Sequence, residues 1–128
     1  MIDRIKYNGV EYSITDNVYS FEEQVIGVFI IEDGTEMPMY RKMYRVPAIS
    51  AGGTWSEALP ANINEILNLQ GIITMEDGAT TLLPIVNNSD VKFQSAFYTD
   101  GTNICVSNGT YRVTIKGHVT IEYTKTTD

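Results

Sequence analysis

Five dipeptides punctuate the chain: Asn8-Gly9, Asp33-Gly34, Asp77-Gly78, Asp100-Gly101 and Asn108-Gly109. Asn, Asp and Gly tolerate the positive φ that tight hairpin turns demand. Most of these pairs sit between runs rich in Ile, Val, Tyr and Thr, residues that suit a pleated, half-buried surface. Such punctuation drives a chain toward short antiparallel pairings. At 128 residues there is room for one domain with a real core. The expected fold is all-β: a single-domain antiparallel β-sandwich, jelly-roll-like, of about eight to ten short strands. It spans residues 1–128, with 1–18 as an N-terminal hairpin segment.

Alternation supports this expectation. Tyr111, Val113 and Ile115 alternate with Arg112, Thr114 and Lys116, and Val119, Ile121 and Tyr123 with Thr120, Glu122 and Thr124. Phe93, Ser95 and Phe97 share a third face. Period-2 patterns of this kind predict strands with one buried side. The run Val25–Ile31 is apolar on both faces and reads as a central strand. Met39 and Met43 alternate with Tyr40 and Tyr44, but Arg41 and Arg45 share the methionine face. Ile63, Ile66 and Leu67 have helical spacing, so Asn62–Gln70 reads as a turn of helix or an irregular strand. Ser50–Pro60 reads as a long surface loop.

Net charge is −7, spread evenly over both halves, and a diffusely acidic surface repels phosphate backbones. No nucleic-acid partner is therefore expected. The one basic cluster, Arg41, Lys42 and Arg45, reads as a solvated strand face or a subunit contact. The longest apolar stretch has seven residues, against about 20 for a membrane span, so no membrane insertion is expected. No apolar signal segment opens the sequence, and the chain is expected to be made in a cytosol.

Catalytic constellations are sparse. His118 is the single histidine and Cys105 the single cysteine, one predicted hairpin apart. A lone Cys between Ile104 and Val106 reads first as an inert buried thiol. Asp33, Asp77 and Asp100 are accounted for by turns, and no carboxylate pair stands out for glycoside hydrolysis. One His and one Cys cannot close a zinc site, and no calcium loop or phosphate loop is present. No catalytic residue, metal or cofactor is expected. Trp55 and, more weakly, Tyr98 are the candidate ligand-binding residues, because aromatic rings on loops stack on sugars and anchor protein contacts. For Trp55 the competing reading is a ring folded back over the end of the sandwich.

Two segments carry a resemblance. Tyr19, Ser20, Glu23, Gln24, Val25, Ile26 and Gly27, then Asp33, Gly34, Pro38, Tyr40, Arg41 and Lys42, match a YS-E-Q-VIG-DG-P-YRK pattern, and the sequence ends HVTIEYTKTTD. In that order these segments resemble a module of bacteriophage and prophage tail-fibre and other virion surface proteins. Phe29 stands where that pattern has tryptophan, and Thr35-Glu36-Met37 lengthens the hairpin. The resemblance implies a non-enzymatic virion protein, a tail-fibre tip or receptor-binding domain. It further implies a homotrimer, other phage structural proteins as partners, and a bacterial surface glycan or protein as receptor. A virion assembly or decoration role is the alternative. Such modules often close a longer fibre, so the chain is either a short gene product or a piece of one.

Overall fold

The structure, a computed structural model, describes residues 4–13, 20–85 and 91–126. Tyr19, Thr127 and Asp128 of the recognised segments lie outside the described residues. Among the described residues ten strands run in chain order: β1 (Arg4–Tyr7), β2 (Val10–Ser13), β3 (Gln24–Ile30), β4 (Glu36–Val46), β5 (Thr54–Ala58), β6 (Ile63–Met75), β7 (Thr80–Leu82), β8 (Ser95–Thr99), β9 (Asn103–Asn108) and β10 (Thr114–Lys125). One 3-10 turn, Val91–Phe93, precedes β8. The strands form a β1-β2 hairpin, a five-stranded sheet ordered β3-β4-β10-β6-β7 and a three-stranded sheet ordered β5-β9-β8. The chain is thus all-β, antiparallel and sandwich-like, as its turn chemistry predicts.

Four of the five dipeptides make the turns expected of them. Asn8 and Gly9 both take positive φ, 51° and 79°, in the two-residue loop between Tyr7 and Val10. Gly34, Gly78 and Gly101 have φ of 87°, 89° and 94°. Before each glycine an aspartate carboxylate accepts the backbone N–H two residues on: Thr35 at 2.8 Å, Ala79 at 2.9 Å and Thr102 at 2.9 Å. The aspartate thus supplies an acceptor and the glycine the left-handed backbone. Asn108-Gly109 is different. Asn108 ends β9 with its side chain buried, and the chain turns one step later, where Arg112 N–H donates to the Gly109 carbonyl at 3.0 Å.

Contacts gather into two compact units. One comprises Met1–Met43, Ala61–Leu69 and Thr120–Asp128; the other comprises Tyr44–Pro60 and Gln70–Val119. In the first, Met37, Tyr40, Ile121 and Tyr123 are buried, together with Arg41, Thr120 and Thr124. In the second, Tyr44, Val46, Ile49, Ile73, Ile104, Val106 and Val119 are buried around a polar knot. The Asn108 amide makes that knot. Its oxygen accepts from Ser95 Oγ at 2.8 Å; its nitrogen donates to Thr114 Oγ1 at 3.1 Å and the Ile49 carbonyl at 3.3 Å. Buried hydroxyls need such partners, which is why the asparagine is drawn inward rather than spent on a turn. Backbones also approach closely here: a Cβ on Gly117 would lie 2.5 Å from the Ile72 carbonyl oxygen.

Several expectations are corrected. Val25–Ile31 is not a central strand: β3 is an edge, half-buried from Gln24 to Phe29 and exposed at Ile30, with a register shift between Val25 and Gly27. A bulge of this kind twists an edge and discourages unwanted pairing. Asn62–Gln70 holds no helical turn, because Ile63–Met75 is one 13-residue strand. The irregular-strand reading of that segment is the one the structure bears out: Asn64, Glu65, Leu69 and Gln70 are exposed among half-buried neighbours, so no clean period-2 signal marks it. Ser50–Pro60 is not all loop, since Thr54–Ala58 pairs with β9. Tyr111 and Ile115 are exposed while Thr114 is fully buried, so that face is reversed. The reason is that β10 begins only at Thr114, whose hydroxyl joins the Asn108 knot. Phe93 leaves the Ser95–Phe97 face because it sits in the 3-10 turn.

Candidate functional site

The recognised segments meet in space. Glu23, just before β3, reaches the far end of the sequence: its carboxylate accepts the Tyr123 hydroxyl and pairs with Lys125 Nζ at 2.6 Å. Lys125 Nζ also stands 4.8 Å from the centroid of the Tyr40 ring. Tyr40 stacks on Tyr123 at 5.7 Å with an interplanar angle of 17°, and Tyr12 packs edge-on to Tyr40 at 6.4 Å. Gln24 Oε1 accepts from Arg41 Nη2 at 3.3 Å. Glu23, Tyr40, Tyr123 and Lys125 are therefore one framework cluster, and the Gln24–Arg41 pair stands on the other face of β4. The cluster's chemistry is charge-assisted hydrogen bonding and ring stacking in a largely enclosed place. Arg41 is buried here and is no part of a solvated basic face; Arg45, four positions on, is exposed.

The two aromatic candidates do not form one site. Residues directly opposite each other in a ladder share a face. Trp55 and Phe97 both face Val106, whereas Tyr98 and Ser56 both face Cys105. Trp55 and Tyr98 consequently lie on opposite faces of the three-stranded sheet. The Trp55 face holds the buried Ile104, Val106, Asn108 and Ser95, and Trp55 itself is half-buried on β5. Its ring turns toward the core side of the sheet and is not displayed on a loop. Tyr98, 40% exposed, stands on the outer face among the short side chains of Thr54, Ser56, Ala58, Ala96 and Ser107.

Cys105 lies beneath that outer face and is buried. Burial pushes its thiol pKa up, and the nearby Asp100 carboxylate pushes it further, against a hydrogen bond with the Tyr98 side chain. Such a thiol stays protonated and is a poor nucleophile. Its sulfur sits 3.9 Å from Asp100 Oδ2 and 3.9 Å from the Asn103 carbonyl, so it is engaged with the turn. The Asp100 carboxyl is held below the ordinary aspartate range by the N–H groups of Thr102 and Asn103. Among the described residues no group of three or more His, Cys, Asp or Glu side chains is placed to hold a metal ion. No helix among them is long and apolar enough to cross a membrane.

One surface was not legible from the sequence. Phe93 and Tyr111, 39% and 58% exposed, pack ring against ring at 5.1 Å and 53°. Lys92 Nζ stands 5.3 Å from the Tyr111 centroid, and Arg112 Nε donates to the Phe93 carbonyl. Alternation had assigned Tyr111 to a core face, and Lys92 and Arg112 are separated in sequence; only the fold assembles the group.

Compared with known proteins, the chain matches no family model, no curated protein and no solved structure.

Proposed function

We propose that this chain is a non-enzymatic virion protein of bacteriophage or prophage origin, a tail-fibre tip domain that attaches to a bacterial surface glycan or protein. The observation that carries the reading is the meeting of the two recognised segments. Residues that match the pattern at Glu23 and Tyr40 bond and stack with Tyr123 and Lys125 of the closing segment, and the matched Gln24 and Arg41 bond to each other across the β3-β4 pair. The similarity therefore falls on residues that act together, which scattered coincidences would not do. Burial and the raised pKa of the Cys105 thiol argue against that side chain as a nucleophile. Repetition in a homotrimer would turn weak individual contacts into avid attachment.

Immunogold labelling of induced phage particles tests this reading. Label at the fibre tips is the expected result; particles without label would overturn it. Light scattering should give three times the 14.3 kDa chain mass, and a monomer at micromolar concentration would contradict the trimer. Label on the capsid or tail tube, with no binding to cells, would instead mark an assembly or decoration protein.

A further inference from the structure

We propose that β5 pairs edge to edge with β5 of a second copy of this chain, antiparallel about a two-fold axis beside Trp55. The contact goes beyond the attachment reading, which sets copies around a three-fold axis; a two-fold contact would join such assemblies in pairs.

β5 is an open edge. The Gly53 carbonyl accepts the Asn108 N–H at 2.8 Å, and Leu59 N–H donates to the Thr102 carbonyl at 3.0 Å, so the odd-numbered residues 53–59 turn their backbone groups toward β9. Alternate residues of a strand point the other way. Thr54, Ser56 and Ala58 therefore aim their N–H and C=O groups away from the sheet. Among the described residues one bond meets this backbone row, from the Tyr44 hydroxyl to the Ala58 carbonyl at 3.0 Å. The side chains of Thr54, Ser56, Glu57 and Ala58 are exposed. The other edges of the two larger sheets are blunted. β3 has its register shift, β7 has three residues, and Ser95 of β8 exchanges bonds with Ile85 at 2.9 and 3.1 Å. β5 runs five residues in unbroken register with no proline or lysine. An edge of this kind is a template for another strand.

The chemistry of the strand selects a second copy. Tyr44 occupies the Ala58 end, so pairing centres on Thr54 and Ser56. About a two-fold axis Thr54 lies opposite the partner's Ser56, and each such pair exchanges N–H···O bonds. Trp55, half-buried on β5, then lies opposite the partner's Trp55, in the pair position where facing side chains come closest and aromatic rings reinforce the pairing. Glu57 falls opposite the partner's Gly53, so no carboxylate faces another despite a net charge of −7. Pairing along five residues covers far less than the about 1,200 Å² of a stable complex. The pair is accordingly weak and forms where copies are crowded, as they would be on a virion.

Amide hydrogen exchange of the full chain, read by NMR in dilute and in concentrated solution, tests the contact. Exchange at Thr54 and Ser56 should slow about tenfold or more on concentration, as mass action requires of a weak pair, while amides outside β5 keep their rates. Trp55 is the single tryptophan, and a coupled indole signal in circular dichroism should appear at high concentration only. Ser56→Pro removes an outward N–H and leaves the bonds to β9 in place, so it should fold and abolish both changes. Ser56→Lys adds a charge at the same edge and should do the same. A thermal melt checks that each variant is folded. Exchange at Thr54 and Ser56 that does not depend on concentration, whether fast or slow, would overturn the contact. So would concentration-dependent slowing at Thr54 that survives both variants. Protection gained only with another phage structural protein present would assign the edge to that protein and overturn it as well. A three-chain mass without concentration-dependent protection would refute this pairing and leave the attachment reading standing. Paired β5 strands in a chain that binds no cell would do the reverse.

Discussion

Removing the Glu23 carboxylate with Glu23→Ala breaks two bonds at once, to the Tyr123 hydroxyl and the Lys125 ammonium. The side chains of Lys125 and Glu23 keep 16% and 30% of their exposure, which puts the pair between two limits. An exposed ion pair contributes about 0.2–1 kcal/mol, and cutting one partner from a fully buried pair costs about 3–5 kcal/mol. Tyr123 is fully buried, so its hydroxyl also loses a charged acceptor, a bond of about 1.5–3 kcal/mol before discounting for the partly wet carboxylate. A total of roughly 2–3 kcal/mol follows. For a chain of this length that lowers Tm by roughly 7–11 °C. Urea denaturation followed by circular dichroism measures the loss directly. Pairing Glu23→Gln with Lys125→Met in a double-mutant cycle isolates the ion pair, with a coupling of about 1 kcal/mol expected. A loss below about 0.5 kcal/mol for Glu23→Ala would refute the claim that the recognised residues hold the fold.

The polar knot predicts that Asn108→Ala costs roughly 2–4 kcal/mol, because it strips the buried Ser95 and Thr114 hydroxyls of their amide; a change within about 0.5 kcal/mol in a urea melt would contradict this. Cys105 should resist a thiol reagent in the native state near neutral pH and react once the chain is unfolded, whereas fast native labelling would show an accessible thiolate. Asp100 should titrate below the ordinary aspartate value of about 3.9 in a carboxyl NMR titration. Because its folded pKa is depressed, its stabilising contribution is present above the unfolded pKa and fades as pH falls through the folded one; a midpoint at or above 3.9 would contradict the turn geometry.

Local chemistry was legible where the answer is local. An Asp-Gly pair carries both its acceptor and its left-handed backbone within a few residues, so Asp33, Asp77 and Asp100 could be read directly. Asn108 looked the same, but distant hydroxyls claimed its amide. β3 shows a complementary limit: its apolar run signalled a strand, yet the sequence holds nothing that distinguishes an interior position from an edge. An irregular mix of exposed and half-buried positions over Ile63–Gln70 left β6 with a chance helical spacing in place of alternation. For the site, Trp55 is a candidate as an aromatic ring on an expected loop, while the register that puts it on a strand and turns it to the core side comes from pairing with β9. The Phe93–Tyr111 patch exists only through backbone bonds between separate segments, which no motif encodes.

The most direct measurement is the binding of labelled chain to intact cells across a panel of bacterial strains. The account predicts saturable binding to some strains and none to others, competed by the unlabelled chain. Absence of binding to every strain, with tight association to a phage structural protein, would contradict the proposed attachment role.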